Sequence, residues 1–187
     1  EGRPLREFTA AKVRNKPKLI GFPTVVRSLA IPEVRELGRR MLEALQLTDF
    51  SCMEFKRDPR DGRYRLMEVN ARHNYSGALA LACGINFPLL SHARATGQPL
   101  PDTPWRQAEG VYWIDEERDA RDLMTALLQG RDAARRALTP YRGRKVFAVF
   151  RRDDMRPSLK LLKSSLSFAL TSERVRAAAP AGAASSS

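Results

Sequence analysis

The stretch from Cys52 to Arg72 constrains the fold of this chain more than any other, because its pattern predicts two strands joined by a turn. Residues 50–55 and 64–70 are rich in aromatic and apolar side chains that favour strands. Between them lies a run of turn-forming residues, Asp58-Pro59-Arg60-Asp61-Gly62, in which Gly62 is free to take a positive φ. The chain is therefore predicted to fold back on itself here as a β-hairpin.

Strand alternation then predicts which side chains share a face. Glu68, Asn70 and Arg72 are spaced two apart and point one way, whereas Met67 and Val69 face an opposite, buried layer. If the hairpin pairs through its turn, Glu54 lies across from the region of residues 68–70, although the sequence alone does not determine that register.

Two carboxylates and one amide are hard oxygen ligands, and they suit Mg²⁺ or Mn²⁺ bridging phosphate oxygens. Arg72 is positioned to neutralise a phosphoryl group. A plainer interpretation is equally open on spacing alone: charged residues are common on hairpins, and Glu54 is also a candidate for a cross-strand ion pair with Arg65. His73 follows in a polar loop and is assigned no catalytic role.

Composition limits the classes of protein to consider. The chain has 187 residues, of which 43% are hydrophobic, and this excludes disorder throughout. Its formal charge of +12 favours anionic partners, although the arginines are scattered and are interpreted mostly as solvated faces. Cys52 and Cys83 have no metal-site spacing and are predicted to be packed free thiols. Since no apolar run approaches the ~20 residues of a membrane span, we expect a cytoplasmic protein.

Local patterns predict the remaining elements. A first strand is predicted over residues 5–13, with its partner expected before Glu1 and a basic loop continuing to Pro23. Two short helices, 77–83 and 87–96, are expected to pack beneath the hairpin. The other predicted elements are an amphipathic helix over 32–47, strands over 110–114 and 146–150, and helices over 119–129 and 157–176.

The combination of Glu54 with Glu68-x-Asn70 and Arg72 resembles the metal-binding hairpin of the ATP-grasp enzymes. The resemblance implies that Glu54, Glu68 and Asn70 hold the metal ions of ATP. It also implies a catalytic role for Arg72, which matches the arginine that follows this motif in biotin carboxylases. Residues 8–12 are similar to the strand that carries a phosphate-contacting lysine in the D-alanine ligases. Lys12, with Arg14, is therefore expected to bind the nucleotide phosphates.

The resemblance also implies a fold and an organisation. The expected class is α+β, with residues 1–98 forming the C-terminal part of an ATP-grasp catalytic domain, an antiparallel sheet covered by helices. Residues 99–176 are expected to form a small appended α/β region with a terminal amphipathic helix, and residues 177–187 a disordered tail. The adenine-clamping part of such an enzyme is expected upstream of Glu1, so this chain alone is expected to be inactive.

The implied activity is an ATP-dependent ligation. ATP, with Mg²⁺ or Mn²⁺, would activate a small carboxylate as an acylphosphate, which an amine or similar nucleophile would then attack. A departure from the D-alanine ligases is Cys52, which stands where they have an arginine. The alternative is a non-enzymatic basic module that binds nucleic acid or an anionic surface. It explains the net charge but gives no reason for Glu54, Glu68 and Asn70, so nucleic acid is the less favoured partner.

Overall fold

The structure is a computed structural model that describes residues 4–17, 21–100 and 106–160. The chain divides into two compact units, Glu1–Ala148 and Val149–Ser187. All the elements that follow belong to the first unit. They are β1 (Ala10–Lys16), β2 (Phe22–Ser28), α1 (Pro32–Leu45), β3 (Cys52–Arg57), β4 (Tyr64–Asn70), α2 (Ala78–Ala82), α3 (Phe87–Thr96), β5 (Tyr112–Ile114), α4 (Glu116–Leu128), α5 (Arg131–Arg142) and β6 (Lys145–Phe147).

These strands form two sheets. One has four strands in the order β1-β2-β5-β6, and the other is the β3–β4 hairpin. All the pairings are antiparallel except β5 with β6, which run parallel. The α+β class, with antiparallel sheets covered by helices, is confirmed. The predicted division at residue 98 stays a prediction, and the four-stranded sheet takes strands from both sides of it.

The first strand pairs with a segment that was not predicted to be a strand. β1 pairs with β2 and is an edge strand of its sheet, so a second partner before Glu1 stays a prediction. The loop predicted to extend to Pro23 was wrong, because β1 continues to Lys16 and β2 begins at Phe22. The segment Phe22–Ser28 contains four buried residues, Thr24, Val25, Val26 and Ser28, and its β-branched side chains suit a strand. The basic residues Lys12, Arg14, Lys16 and Lys18, interrupted by Pro17, were interpreted as a loop, although their alternate spacing also fits the exposed face of a strand.

The core lies on the four-stranded sheet. Trp113 of β5 and Val26 of β2 pack with Val111, with Leu79 of α2 and with Cys83, which follows that helix. The prediction that α2 packs beneath the hairpin was therefore wrong. The α3 helix instead contacts the residues just before β3, through a hydrogen bond of 2.8 Å from Ser91 to Asp49.

Several other predictions can be compared directly with the described residues. α3 has the predicted limits, whereas α5 was not predicted. Cys83 is buried, Cys52 is partly buried, and both are free thiols, as predicted. Residues 156–160 are helical, and the rest of the predicted terminal helix and the tail lie outside the described residues. In the part of the chain that the structure describes, no helix has the length and apolarity needed to cross a membrane.

Candidate metal and phosphate site

The hairpin turn determines the register of β3 and β4. The Asp58 amide donates to the Arg63 carbonyl at 2.8 Å, and the Gly62 amide donates to the Asp58 carbonyl at 2.8 Å. Gly62 has a φ of 72°, which a residue with a side chain would adopt only with strain. Hydrogen bonds from Arg60 lower the pKa of Asp58 to about 2, so this carboxylate remains charged within the turn. These hydrogen bonds close the turn and so determine which residues of the two strands lie opposite each other.

That register places the two predicted carboxylates directly opposite each other. Glu54 pairs with Glu68, and Cys52 pairs with Asn70. Directly opposed residues of an antiparallel pair have Cβ atoms about 4.5–5.5 Å apart, and like charges placed so are destabilising unless a cation lies near them. The predicted juxtaposition of Glu54 with residues 68–70 is confirmed. The role of these residues as metal ligands stays a prediction.

An irregularity in the pairing lies beside these carboxylates. Glu68 pairs with Glu54 and Leu66 pairs with Phe55, so Met67 is an extra residue on β4. Such bulges twist a strand and change the direction of its side chains. Met67 is 63% exposed, so the expectation that it faces a buried layer was wrong.

Lys12 reaches this hairpin from the other sheet. Its Nζ atom lies 2.5 Å from Glu54 Oε2, and both side chains are partly exposed. The ion pair therefore brings together two side chains that lie 42 residues apart and that were predicted to share one site. The alternative pairing of Glu54 with Arg65 does not form, since Arg65 Nη2 donates to Asp61 Oδ2 at 2.6 Å.

Two other predicted site residues, Glu68 and Arg72, make few or no side-chain hydrogen bonds within the described part of the chain. Within residues 4–17, 21–100 and 106–160, the exposed Glu68 side chain makes neither a hydrogen bond nor an ion pair. Arg72 is also exposed, and its Nη1 atom donates only to the adjacent His73 carbonyl at 3.4 Å. An anionic and a cationic side chain are thus both available to a ligand at this end of the hairpin.

The acidic side chains alone do not form a large cluster. Among the described residues, no group of three or more His, Cys, Asp and Glu side chains could hold a metal ion. The predicted set has two carboxylates and completes its ligands with the amide oxygen of Asn70. Mg²⁺ is commonly held by one or two carboxylates together with water and substrate phosphates, so a set of this size fits that ion.

Arg14 is held elsewhere. Its Nε and Nη2 atoms donate to Asp119 at 2.8 Å and 2.5 Å, and its Nη1 atom donates to the Ala137 carbonyl at 3.1 Å. The pairing of β1 with β2 is irregular on both sides of Arg14, between Lys12 and Arg14 and again between Arg14 and Asn15. The structure thus places Lys12 at the hairpin and Arg14 against α4 and α5. The phosphate-binding role of Arg14 stays a prediction.

Sequence reasoning missed the buried acceptor of Arg14. Asp119 is fully buried and also accepts hydrogen bonds from Thr24 at 2.9 Å and Tyr141 at 2.8 Å. Burial and the bond to Asp119 raise the pKa of the Tyr141 hydroxyl, so it remains a donor. Asp119 stands among other acidic residues at the start of α4, and no local signal distinguishes it from them.

The loop after β4 is fixed by packing. The His73 ring stacks on Phe50 with centroids 4.2 Å apart, which is a structural contact. Asn74 Nδ2 donates to Cys52 Sγ at 3.5 Å and so ties the loop to β3. Burial raises the pKa of the Cys52 thiol, which keeps it neutral beside the carboxylates. Cys52 therefore offers a neutral side chain next to the strand position of Glu54.

The chain is similar in sequence to the D-aspartate ligase of Enterococcus faecium (strain Aus0004). The two are 28% identical over 90 residues, which is 48% of this chain and 21% of the ligase. The matched region thus spans about a fifth of the length of that curated relative. No family model matches the chain, and no solved structure matches it. The similarity supports, at most, a distant relationship to an ATP-grasp ligase.

Proposed function

We propose that this chain carries the metal-binding and phosphate-binding part of an ATP-dependent ligase of the ATP-grasp type. The reaction would convert a carboxylate into an acylphosphate at the expense of ATP, and an amine or a similar nucleophile would then displace the phosphate. The observation that carries the proposal is the opposition of Glu54 and Glu68 across the hairpin, with Lys12 donating to Glu54.

The charged side chains around Glu54 and Glu68 support the binding of a metal cation together with a phosphate anion. Two carboxylates face each other with a single lysine as counter-charge, and the Glu68 side chain has no partner among the described residues. Placing like charges opposite each other costs stability, and a bound cation would relieve that cost. Lys12 and Arg72 supply positive charge beside the same carboxylates, as a phosphate that bridges to a metal would require.

Each residue has a distinct proposed role. Glu54, Glu68 and Asn70 would hold Mg²⁺ or Mn²⁺ through oxygen atoms, and Lys12 would turn from Glu54 towards a phosphate. Arg72 would neutralise charge on the phosphoryl group. Arg14, held by Asp119, would act on phosphate only if that ion pair opened. When bound, the metal would screen the charge on the phosphates, which makes them more susceptible to attack.

The similarity to D-aspartate ligase supports the reaction class more than the substrate. A carboxylate is a poor electrophile, and its activation by ATP is the chemistry that a ligase joining an amine to a carboxylate requires. The alternative is a non-enzymatic module that binds nucleic acid or an anionic surface. That alternative accounts for the charge of +12. It gives no reason for two opposed carboxylates, which repel polyanions.

The test is metal-dependent nucleotide binding in the Glu68→Gln variant. The substitution keeps the shape of the side chain and removes its charge. We expect the affinity for Mn²⁺ with ATP, measured by electron paramagnetic resonance and calorimetry, to fall about a hundredfold, because even residues that only support a metal ligand are worth about 10–100-fold. In an active ligase containing this hairpin, the same change should abolish ATP turnover.

The matched control is Glu33→Gln, which removes an exposed carboxylate from the first turn of α1 and should leave binding unchanged. Equal binding by the natural chain and Glu68→Gln would contradict the site. Steeply salt-dependent binding of DNA or RNA that is indifferent to Glu54 and Glu68 would favour the alternative.

A further inference from the structure

The region from residue 123 to residue 145 carries a strong net positive charge. It contains six basic residues and one acidic residue, Asp132. All six basic side chains are exposed, and within the described part of the chain none forms an ion pair. They are Arg131, Arg135, Arg136, Arg142, Arg144 and Lys145.

Helix geometry aligns three of these cations. At 3.6 residues per turn, Arg131, Arg135 and Arg142 project from α5 within about 40° of one another. The helix turns Ala137 and Pro140 inward, where both are buried. The arginine stripe therefore runs along the outer side of α5, over about 16 Å at 1.5 Å per residue.

An exposed apolar cluster precedes this stripe in the chain. Three side chains in the last two turns of α4 are solvent-exposed, with Met124 at 59%, Leu127 at 44% and Leu128 at 86%. Gly130 separates the two helices, and Tyr141 near the end of α5 donates to Asp119 near the start of α4. The helices therefore run antiparallel, and the end of α4 lies next to the first turn of α5. One end of this helical pair thus presents apolar side chains together with Arg131 and Arg135.

We propose that this end of the α4–α5 pair is a docking surface for an anionic phospholipid bilayer. Leu128, with Met124 and Leu127, would insert among the acyl chains, and Arg131 and Arg135 would contact the anionic headgroups. Chains that lie on a membrane combine apolar insertion with attraction to anionic lipid in this way. The inference does not depend on the proposed ligase activity.

The combination of features favours a bilayer over other anionic partners. Nucleic acid phosphates would match the arginines, but they offer nothing to a leucine that is 86% exposed. A folded acidic protein would need a pocket matched to this projecting helix end. A fluid bilayer accommodates a projecting apolar side chain without a preformed pocket, and it provides negative charge around the point of insertion.

The test is co-sedimentation of the full chain with vesicles of phosphatidylcholine alone or mixed with phosphatidylserine. We expect binding to the anionic vesicles only, and its loss in 1 M salt, where the Debye length falls to about 3 Å. Leu128→Ser should weaken binding about tenfold, because it removes an apolar side chain that the bilayer would bury. Arg131→Glu with Arg135→Glu should weaken it by more than tenfold, because two attractions become repulsions.

Two further variants make the outcome decisive. Leu128→Trp should bind at least as tightly as the natural chain, since tryptophan favours the membrane interface. Arg40→Glu with Leu45→Ser makes a comparable change on exposed positions of α1 and should bind normally. The proposal is overturned if anionic vesicles are not bound, if Leu128→Ser binds as well as the natural chain, or if Leu128→Trp loses binding. Binding to duplex DNA in preference to vesicles would also overturn it.

Discussion

The buried carboxylate of Asp119 provides the sharpest test of how this fold is held together. Four hydrogen bonds converge on it, two from Arg14, one from Thr24 and one from Tyr141. They join β1, β2 and α5 to α4. In Asp119→Ala the Arg14 guanidinium, whose side chain is only 21% exposed, would lose its counter-charge. The fully buried Thr24 hydroxyl would lose its acceptor.

The expected cost follows from those losses. Removing one partner of a buried ion pair typically costs about 3–5 kcal/mol, because a charge is left uncompensated. Arg14 retains some contact with water and its bond to the Ala137 carbonyl, so the lower end, about 3 kcal/mol, is expected. For a unit of this size, that corresponds to a fall of roughly 6–12 °C in Tm. Urea unfolding followed by circular dichroism measures the change, since urea does not screen charge.

The matched control lies one turn further along α4. Asp122 pairs with Lys16 at 3.1 Å, but both side chains are at least a third exposed. Exposed ion pairs contribute about 0–1 kcal/mol, so Asp122→Ala should hardly change the free energy of unfolding. In a double-mutant cycle, Arg14→Ala should cost much less in the Asp119→Ala background than alone. The reasoning is refuted if Asp119→Ala and Asp122→Ala are equally stable, or if the two changes at Arg14 and Asp119 are additive.

Two further predictions concern titrating groups. Burial and the bond to Asp119 raise the pKa of Tyr141 above its usual value of 10.0, so its contribution to stability is complete below pH 10 and declines as the pH rises further. Tyr141→Phe should therefore flatten the alkaline fall in urea stability, and an unchanged slope would contradict the buried hydrogen bond. Burial likewise raises the pKa of Cys52, so iodoacetamide should alkylate it more slowly at pH 7 than it alkylates glutathione. Alkylation of Cys52 at the glutathione rate, read by mass spectrometry, would show that the thiol is not packed beside Asn74.

Local signals were sufficient to predict some of this structure. The limits of α3 follow from Asn86, whose side chain accepts from the Leu89 amide at 3.1 Å, and from Gly97, which ends the helix with a φ of 68°. The β3–β4 hairpin follows in the same way from its turn. Both elements are set by residues close together in the sequence, so their geometry was predictable without the rest of the chain.

Long-range pairing decided the remainder. β1 pairs with a strand, β2, that the sequence pattern did not predict, and α2 packs on the four-stranded sheet rather than on the hairpin. Arg14 and Asp119 meet across 105 residues. A basic residue at an alternating position has the same local pattern whether its partner is a phosphate or a buried carboxylate. Only the folded chain distinguishes these environments.

The candidate site shows both contributions. The sequence by itself determined that Glu54 and Glu68 lie on neighbouring strands and that Glu68, Asn70 and Arg72 alternate along one of them. The tertiary structure decided the directly opposed register and brought Lys12 to Glu54. It also directed Arg14 away to Asp119. The physical reason is that strand alternation is a local property of the backbone, whereas the partner of a charged side chain depends on which elements pack together.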